Sequence, residues 1–157
     1  MKYLSTRDNS LKKSFNEILY QGLSKDGGLY LPVEWPTINI DNLENKSYED
    51  VALEIIFPFV KENFTKSNLQ KILNESYANF RHEKKAPIKE LQTNKYILEL
   101  IYGPTYAFKD YALQFLGKLF SNSLVINPKK ITVLGATSGD TGSAAIHAFK
   151  ANQDINV

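Results

Sequence analysis

The sequence predicts an α/β protein with two parts: a small, mainly helical N-terminal domain over residues 1–86, then the beginning of a parallel-sheet domain over residues 87–157. Three observations carry this. Up to about residue 80, apolar residues recur at helical spacing. After residue 95 the rhythm becomes strand, helix, strand, helix, strand, the order of parallel α/β architecture. Between the second of these strands and its helix lies a nine-residue run of small and hydroxylated residues, Gly135 to Ser143.

The elements follow in order. Ser14-Phe15-Asn16-Glu17 has the S-x-x-E form of a helix capping box, and Phe15, Ile18, Leu19 and Leu23 continue at helical spacing. Gly27-Gly28 breaks that helix, and Leu29 to Pro32 reads as a short extended segment ended by proline. Ser47-Tyr48-Glu49-Asp50 opens a second helix carrying Val51, Ile55 and Ile56. A third is expected from about Ser67 to Phe80, with Leu69, Ile72, Leu73, Tyr77 and Phe80 inward. Tyr96 to Ile101 reads as a strand, Gly103-Pro104 as a turn, and Ala107 to Phe120 as a helix. A buried strand over Lys130–Leu134, a helix over Thr141–Ala151 and a strand starting at Asp154 complete the pattern.

Composition narrows the function classes. The 157 residues are 43% hydrophobic and 23% charged, the mix of a globular chain. The net charge is +2, and the basic pairs Lys12-Lys13, Lys84-Lys85 and Lys129-Lys130 are scattered, so no nucleic-acid face is expected. With no cysteine, disulfides, thiolate metal sites and thiol catalysis drop out. Neither His82 nor His147 has an evident ligand or triad partner, so no metal is expected. The N-terminus lacks the apolar core of a signal peptide, and no apolar run is long enough to span a bilayer. The expectation is a cytoplasmic protein with no membrane partner.

Two segments carry candidate chemistry. On its predicted helix, Lys109 shares a face with Leu113, Leu116 and Phe120. The apolar flank and the positive end of the helix dipole both disfavour an ammonium there. A neutral amine is what attack on an aldehyde requires. The residues alone equally describe a lysine whose stem lies on the apolar face and whose head reaches water, and that reading comes first. The second segment is the loop Gly135 to Ser143. Its small residues allow close backbone approach, and amides at a helix start with nearby hydroxyls suit a carboxylate or phosphate. A tight strand-to-helix turn with hydroxyl capping is the alternative. The loop is neither a nucleotide P-loop, since no lysine follows Gly139 or Gly142, nor a dinucleotide fingerprint.

Four segments together resemble the longer class of threonine synthases, in that family's order and spacing. They are Tyr3-Leu4-Ser5-Thr6-Arg7 with Ser14-Phe15; Gly22 to Pro32; Leu98-Glu99-Leu100 to Gly103-Pro104-Thr105-Tyr106-Ala107-Phe108-Lys109-Asp110 with Gln114; and Gly135 to Ala145. The resemblance implies the N-terminal portion of a pyridoxal-5'-phosphate enzyme of fold type II, the tryptophan-synthase-β-like fold. Such an enzyme converts O-phospho-L-homoserine and water to L-threonine and phosphate. Lys109 would hold the cofactor as a Schiff base and then move protons on the substrate carbons. Phe108 would pack near the cofactor ring or fill the core. Asp140 stands where related enzymes place a residue, often asparagine, that meets the cofactor's ring hydroxyl; a carboxylate there needs a donor or a proton. Thr137, Ser138, Gly139 and Thr141 would hold the substrate's α-carboxylate. The resemblance further implies a small-molecule partner and a monomeric full-length protein.

One position departs from the family pattern, which commonly reads His-Gly-Pro-Thr: here Tyr102 precedes Gly103. Tyrosine donates a hydrogen bond but does not titrate near neutral pH. Other fold type II enzymes, such as threonine dehydratase or cysteine synthase, share a Ser-Gly-Asn-like loop but leave residues 1–35 without a counterpart, and a non-catalytic anion-binding module is the rival from another class. Two parallel strands make an unfinished sheet, and family members run to several hundred residues, with the cofactor's phosphate cup expected beyond Val157. The expectation is therefore an inactive N-terminal fragment. Mixed with pyridoxal phosphate and O-phospho-L-homoserine, the 157-residue chain should release no phosphate in a colorimetric assay; turnover overturns this.

Overall fold

The computed structural model describes residues 1–10, 12–126 and 128–157, which form two units, Met1–Lys71 and Ile72–Val157. In the first, β1 (Tyr3–Ser5) pairs antiparallel with β2 (Tyr30–Pro32), in the register Tyr3 to Pro32 and Ser5 to Tyr30. Ser5 Oγ and the Gly28 amide both donate to Asp26 Oδ1 at 2.8 Å, tying the strand to the turn before β2. A Cβ on Gly28 would lie 2.1 Å from Ser5 Oγ, so only glycine allows that approach. These donors, first the Gly28 amide and then Ser5, hold the Asp26 carboxyl below its ordinary range.

Helix α1 (Phe15–Ile18) is a single turn, in which the Ser14 amide and hydroxyl both donate to Glu17 Oε2 at 2.7 Å. The S-x-x-E motif therefore acts as read, but the helix does not continue to Leu23. That residue is 57% exposed, so a longer helix would bury nothing there. A 3-10 helix (Ile40–Leu43) precedes α2 (Tyr48–Val60), whose cap Ser47 accepts from the Asp50 amide at 3.1 Å. The core of the unit is built from Tyr3, Leu53, Val60, Phe64 and Leu69, with Phe15 edge-on to Phe64 at 6.1 Å. The Tyr3 hydroxyl donates to the Phe59 carbonyl at 2.7 Å. Burial, and then the charge of Glu62, push its phenol up to about 12.

Helix α3 (Lys66–Tyr77) crosses the division at Lys71. In the second unit its end packs on aromatic rings: Tyr77 lies 5.1 Å from Phe80, and Phe80 4.8 Å from Tyr111. The expected strand near residue 96 is real but short. As β4 (Lys95–Leu98) it forms an antiparallel hairpin with β3 (Ile88–Gln92), exposed along both strands. It does not join the parallel pair. Lys89, Glu90 and Gln92 leave β3 without an apolar run to announce it, and Asn94 takes the left-handed conformation that closes the turn.

Helix α4 (Asp110–Ile126), β5 (Ile131–Thr132), α5 (Asp140–Phe149) and β6 (Ile155–Asn156) follow the predicted order, with β5 and β6 parallel. Phe120 and Phe149 pack at 5.5 Å between α4 and α5. No helix among the described residues is long and apolar enough to cross a membrane. The two helices approach closely at Gly117, where an added Cβ would lie 2.6 Å from the Ala148 carbonyl oxygen. Alanine there gains about 1 kcal/mol of helix propensity and loses about 2 kcal/mol to overpacking against a backbone that cannot turn aside. Gly117→Ala should therefore lower stability by about 1 kcal/mol. A urea midpoint unchanged or raised would show that the helices separate freely.

Candidate functional site

The site is built around a buried carboxylate. Asp110 is the first residue of α4 and is fully buried. Its Oδ2 accepts from the Thr105 amide at 2.8 Å and from the Thr105 hydroxyl at 2.9 Å. Its Oδ1 accepts from Gln114 Nε2 at 3.1 Å, one helical turn on. The segment from Thr105 to Asp110 is thus closed on itself by the side chain at its own end. Gly103 permits this, since a Cβ there would sit 2.3 Å from Asp110 Cβ.

Arg81 fixes the other side of the turn. Its guanidinium donates to the carbonyls of Gly103 and Pro104, the latter at 3.1 Å, and lies 4.0 Å from the centre of the Tyr106 ring. Tyr106 adopts φ +62°, a conformation a bulky residue holds only where surrounding contacts impose it. Tyr102, ahead of the turn, donates to Glu99 Oε2 at 2.8 Å and packs its ring 4.8 Å from that of His82.

Lys109 lies in this turn, immediately before α4 rather than inside its first coil, and its carbonyl accepts the Leu113 amide at 2.9 Å. The side chain is half-buried, with Nζ 4.6 Å from the centre of the exposed Phe108 ring. That distance is within cation–π range. Phe108 therefore does not fill the core: it stands 55% exposed beside the lysine.

The second candidate segment heads α5. Thr137 Oγ1 accepts from the amides of Gly139 and Gly142, each at 3.1 Å. Gly139 has φ +140° and ψ −62°, backbone that side chains rarely adopt. A Cβ on Gly142 would come within 2.8 Å of Thr137 Oγ1. Thr137, Ser138, Gly139 and Asp140 are exposed and Thr141 half-buried. The amides of Asp140 and Thr141 open the helix, where no carbonyl one turn earlier belongs to it. Thr137 and Thr141 line a cleft of about 550 Å³ together with Leu113, Leu116 and Phe120. The apolar stripe that follows Lys109 and the hydroxyls of the loop therefore share one cavity wall. Lys109, Phe108, Ser138, Gly139 and Asp140 are not among its lining residues.

Sequence reasoning missed three members. Asp110 reads as an ordinary N-terminal helix charge, yet it is the anchor. Arg81 carries no motif. His147, expected to lack a partner, has Nδ1 3.1 Å from Gln114 Oε1. Gln114 Nε2 also reaches the Ala144 carbonyl at 3.4 Å, so Gln114 links α4 to α5. The i, i+4 spacing of Asp110 and Gln114 was the available signal. Among the described residues, no group of three or more His, Asp or Glu is arranged to hold a metal ion.

The fold, with its small N-terminal unit followed by strand, loop and helix, is that of the opening part of fold type II enzymes. Over its whole length the chain matches the N-terminal portion of threonine synthases. Residues 2–77 match the family model described as "Threonine synthase N terminus". Threonine synthase of Pseudomonas aeruginosa is 38% identical over 160 residues, covering 100% of this chain and 34% of the relative. That of Schizosaccharomyces pombe is 41% identical, covering 100% and 33%. The crystal structure of PLP-bound threonine synthase from Brucella melitensis superposes with TM-score 0.93 at 40% identity, over 99% of this chain and 34% of that one. The yeast enzyme gives 0.90 at 38%, over 98% and 34%. The chain spans about a third of the length of the curated relatives it matches.

Desolvation, and then the charge of Lys150, hold the His147 imidazole below its ordinary value of 6.5. Below 6.5 the unfolded chain takes up a proton that the folded chain resists, so the unfolded state binds more protons and stability declines as pH is lowered, until the folded group also titrates. His147→Gln should flatten that slope below pH 6.5 in denaturant titrations. A His147 proton signal titrating above 6.5 would contradict it.

Proposed function

We propose that the protein acts as a threonine synthase, converting O-phospho-L-homoserine and water to L-threonine and phosphate with pyridoxal phosphate as cofactor. The observation that carries this reading is the TM-score of 0.93 to a PLP-bound threonine synthase over 99% of this chain, at 40% identity. In this reading residues 1–86 form the N-terminal domain and residues 87–157 the first part of the catalytic domain. In this reading the protein is cytoplasmic and monomeric, with no membrane partner, and meets a small molecule rather than nucleic acid, the last of which its near-balanced charge supports.

The residues fit the cofactor's aldehyde end. Lys109 offers a primary amine from a turn fixed by Asp110 and Arg81, with an aromatic face at 4.6 Å. Lys109 and Phe108 would hold the cofactor, and Asp140 would meet its ring hydroxyl as a donor or through a donor. When bound, the cofactor serves as a sink for the electron pair released at substrate carbon. Thr137, Ser138 and Thr141 would bind the substrate α-carboxylate, with the Thr137 hydroxyl holding the loop by its two accepted amides, and Gly139 would join them when its amide turns from Thr137 Oγ1 to the substrate. Once its amine is free, Lys109 would take protons from and return them to the substrate carbons, while phosphate leaves from the γ carbon and water adds at the β carbon.

The test is a substrate panel on the protein expressed from its complete reading frame. With pyridoxal phosphate and O-phospho-L-homoserine it should yield threonine and phosphate in equal amounts. Lys109→Ala should lose about a thousandfold or more in rate and the cofactor's shifted visible absorbance. Consumption of threonine or O-acetylserine instead would make it another enzyme of the same fold. Cofactor absorbance that survives Lys109→Ala would remove the lysine from its role.

A further inference from the structure

The chain Thr105–Asp110–Gln114–His147 joins the lysine turn to the loop helix by side chains alone. Every hydrogen in it has a determined direction. The Thr105 amide can only donate, so Asp110 Oδ2 must be a bare oxygen. Gln114 Nε2 faces two acceptors, Asp110 Oδ1 at 3.1 Å and the Ala144 carbonyl at 3.4 Å. Its amide orientation follows, and Gln114 Oε1 is left to face His147 Nδ1 at 3.1 Å. An amide oxygen only accepts, so a neutral His147 must carry its proton on Nδ1. A carboxylate at the head of α4 thus sets the tautomer of an imidazole on α5.

We infer that Asp110 and Gln114 are positioning residues for Lys109: the Asp110 carboxylate holds the turn that presents the lysine, and Gln114 locks that turn to the helix that begins at the Thr137–Thr141 loop. The inference rests on the reading of Lys109 as the cofactor lysine. It adds that the register between the lysine and the loop is held by a polar chain with one allowed direction. Apolar packing of α4 on α5, at Gly117 and Phe120, sets their separation but tolerates sliding and rotation. The hydrogen bonds of Gln114 to the Ala144 carbonyl and to His147, held in place by the Asp110 carboxylate, do not.

Asp110→Asn tests the chain with little change of shape. The Thr105 amide keeps the asparagine oxygen toward itself, so the new NH2 faces Gln114. Gln114 then turns its own oxygen to that NH2 and its own NH2 to His147, which needs a bare Nδ1, giving up the longer 3.4 Å bond to the Ala144 carbonyl. His147 should switch from the Nδ1–H to the Nε2–H tautomer, read by imidazole 15N shifts at pH 8 on the complete protein, with His147→Gln used to assign its signal. A merely structural carboxylate would leave that tautomer alone. An unchanged tautomer in Asp110→Asn overturns the chain, and this arm needs neither cofactor nor activity.

The second arm reads Lys109. Borohydride trapping with pyridoxal phosphate, followed by peptide mass spectrometry, gives the rate at which Lys109 is labelled. Asp110→Asn and Gln114→Leu should each slow labelling about tenfold to a hundredfold, as for a group displaced by an ångström or less, and lower kcat by a similar factor with KM little changed. Gln114→Glu, which sets a second carboxylate against Asp110, should be at least as slow. Labelling at the wild-type rate in Asp110→Asn and Gln114→Leu overturns the positioning role. Failure of the wild-type protein to label at Lys109 refutes the cofactor-lysine reading instead, and the positioning claim falls with it, whatever the tautomer arm says of the chain.

Discussion

The second unit is organised by one buried charge. Taking a carboxylate out of water costs several kcal/mol even after relaxation, and Asp110 is fully buried. Its offset is visible in the donors: an amide and a hydroxyl from Thr105 and an amide from Gln114. Hydrogen bonds to a charged group contribute about 1.5–3 kcal/mol each, so three of them match a cost of that order. This arithmetic restricts the surrounding sequence. Gly103 must lack a Cβ to let the carboxylate in, position 105 must supply two donors from one residue, and position 114 must be long enough to reach back one turn. Arg81 sends its guanidinium to the carbonyls of Gly103 and Pro104, so it braces the outside of the turn.

The loop at α5 is organised by the opposite device, a small neutral cap. Thr137 Oγ1 takes the Gly139 and Gly142 amides, which removes two donors from the helix start and leaves the amides of Asp140 and Thr141 at the opening. Gly142 must be small for the hydroxyl to approach, and Gly139 carries the positive φ that turns the chain. Density of Gly, Ser and Thr in this run is therefore a packing requirement and a binding opportunity at once. That is why the residues alone leave the two readings of the loop open.

What the sequence disclosed tracks the range of the interactions. Helices α2, α3, α4 and α5 announce themselves through local periodicity and caps, and all four are present, although α4 starts at Asp110 rather than Ala107 and runs on past the expected end at Phe120 to Ile126. Pairing of Tyr3–Ser5 with Tyr30–Pro32 depends on an aspartate turn more than twenty residues away and has no local signature. The β3–β4 hairpin is exposed on both faces, so it lacks the alternation that marks a half-buried strand. The site divides in the same way. Lys109 and the loop are visible as odd local compositions. Asp110, Arg81 and His147 become functional candidates only through partners 4 to 33 positions distant.

Position 102 ties these themes together. Where the family commonly places histidine, this chain has a tyrosine whose hydroxyl donates to Glu99. That hydrogen bond, more than burial, pushes the phenol further above its ordinary value. A group so held keeps its proton throughout the neutral range. Proton transfer at this turn cannot then run through residue 102, although an imidazole does lie beside it, at 4.8 Å, on His82. In the proposed reaction the burden moves to Lys109, whose amine must serve each proton transfer at the substrate carbons. A single mobile base tolerates little positional error. The rigidity of the turn around Lys109, braced by Arg81 outside and Asp110 within, is what such a division of labour requires.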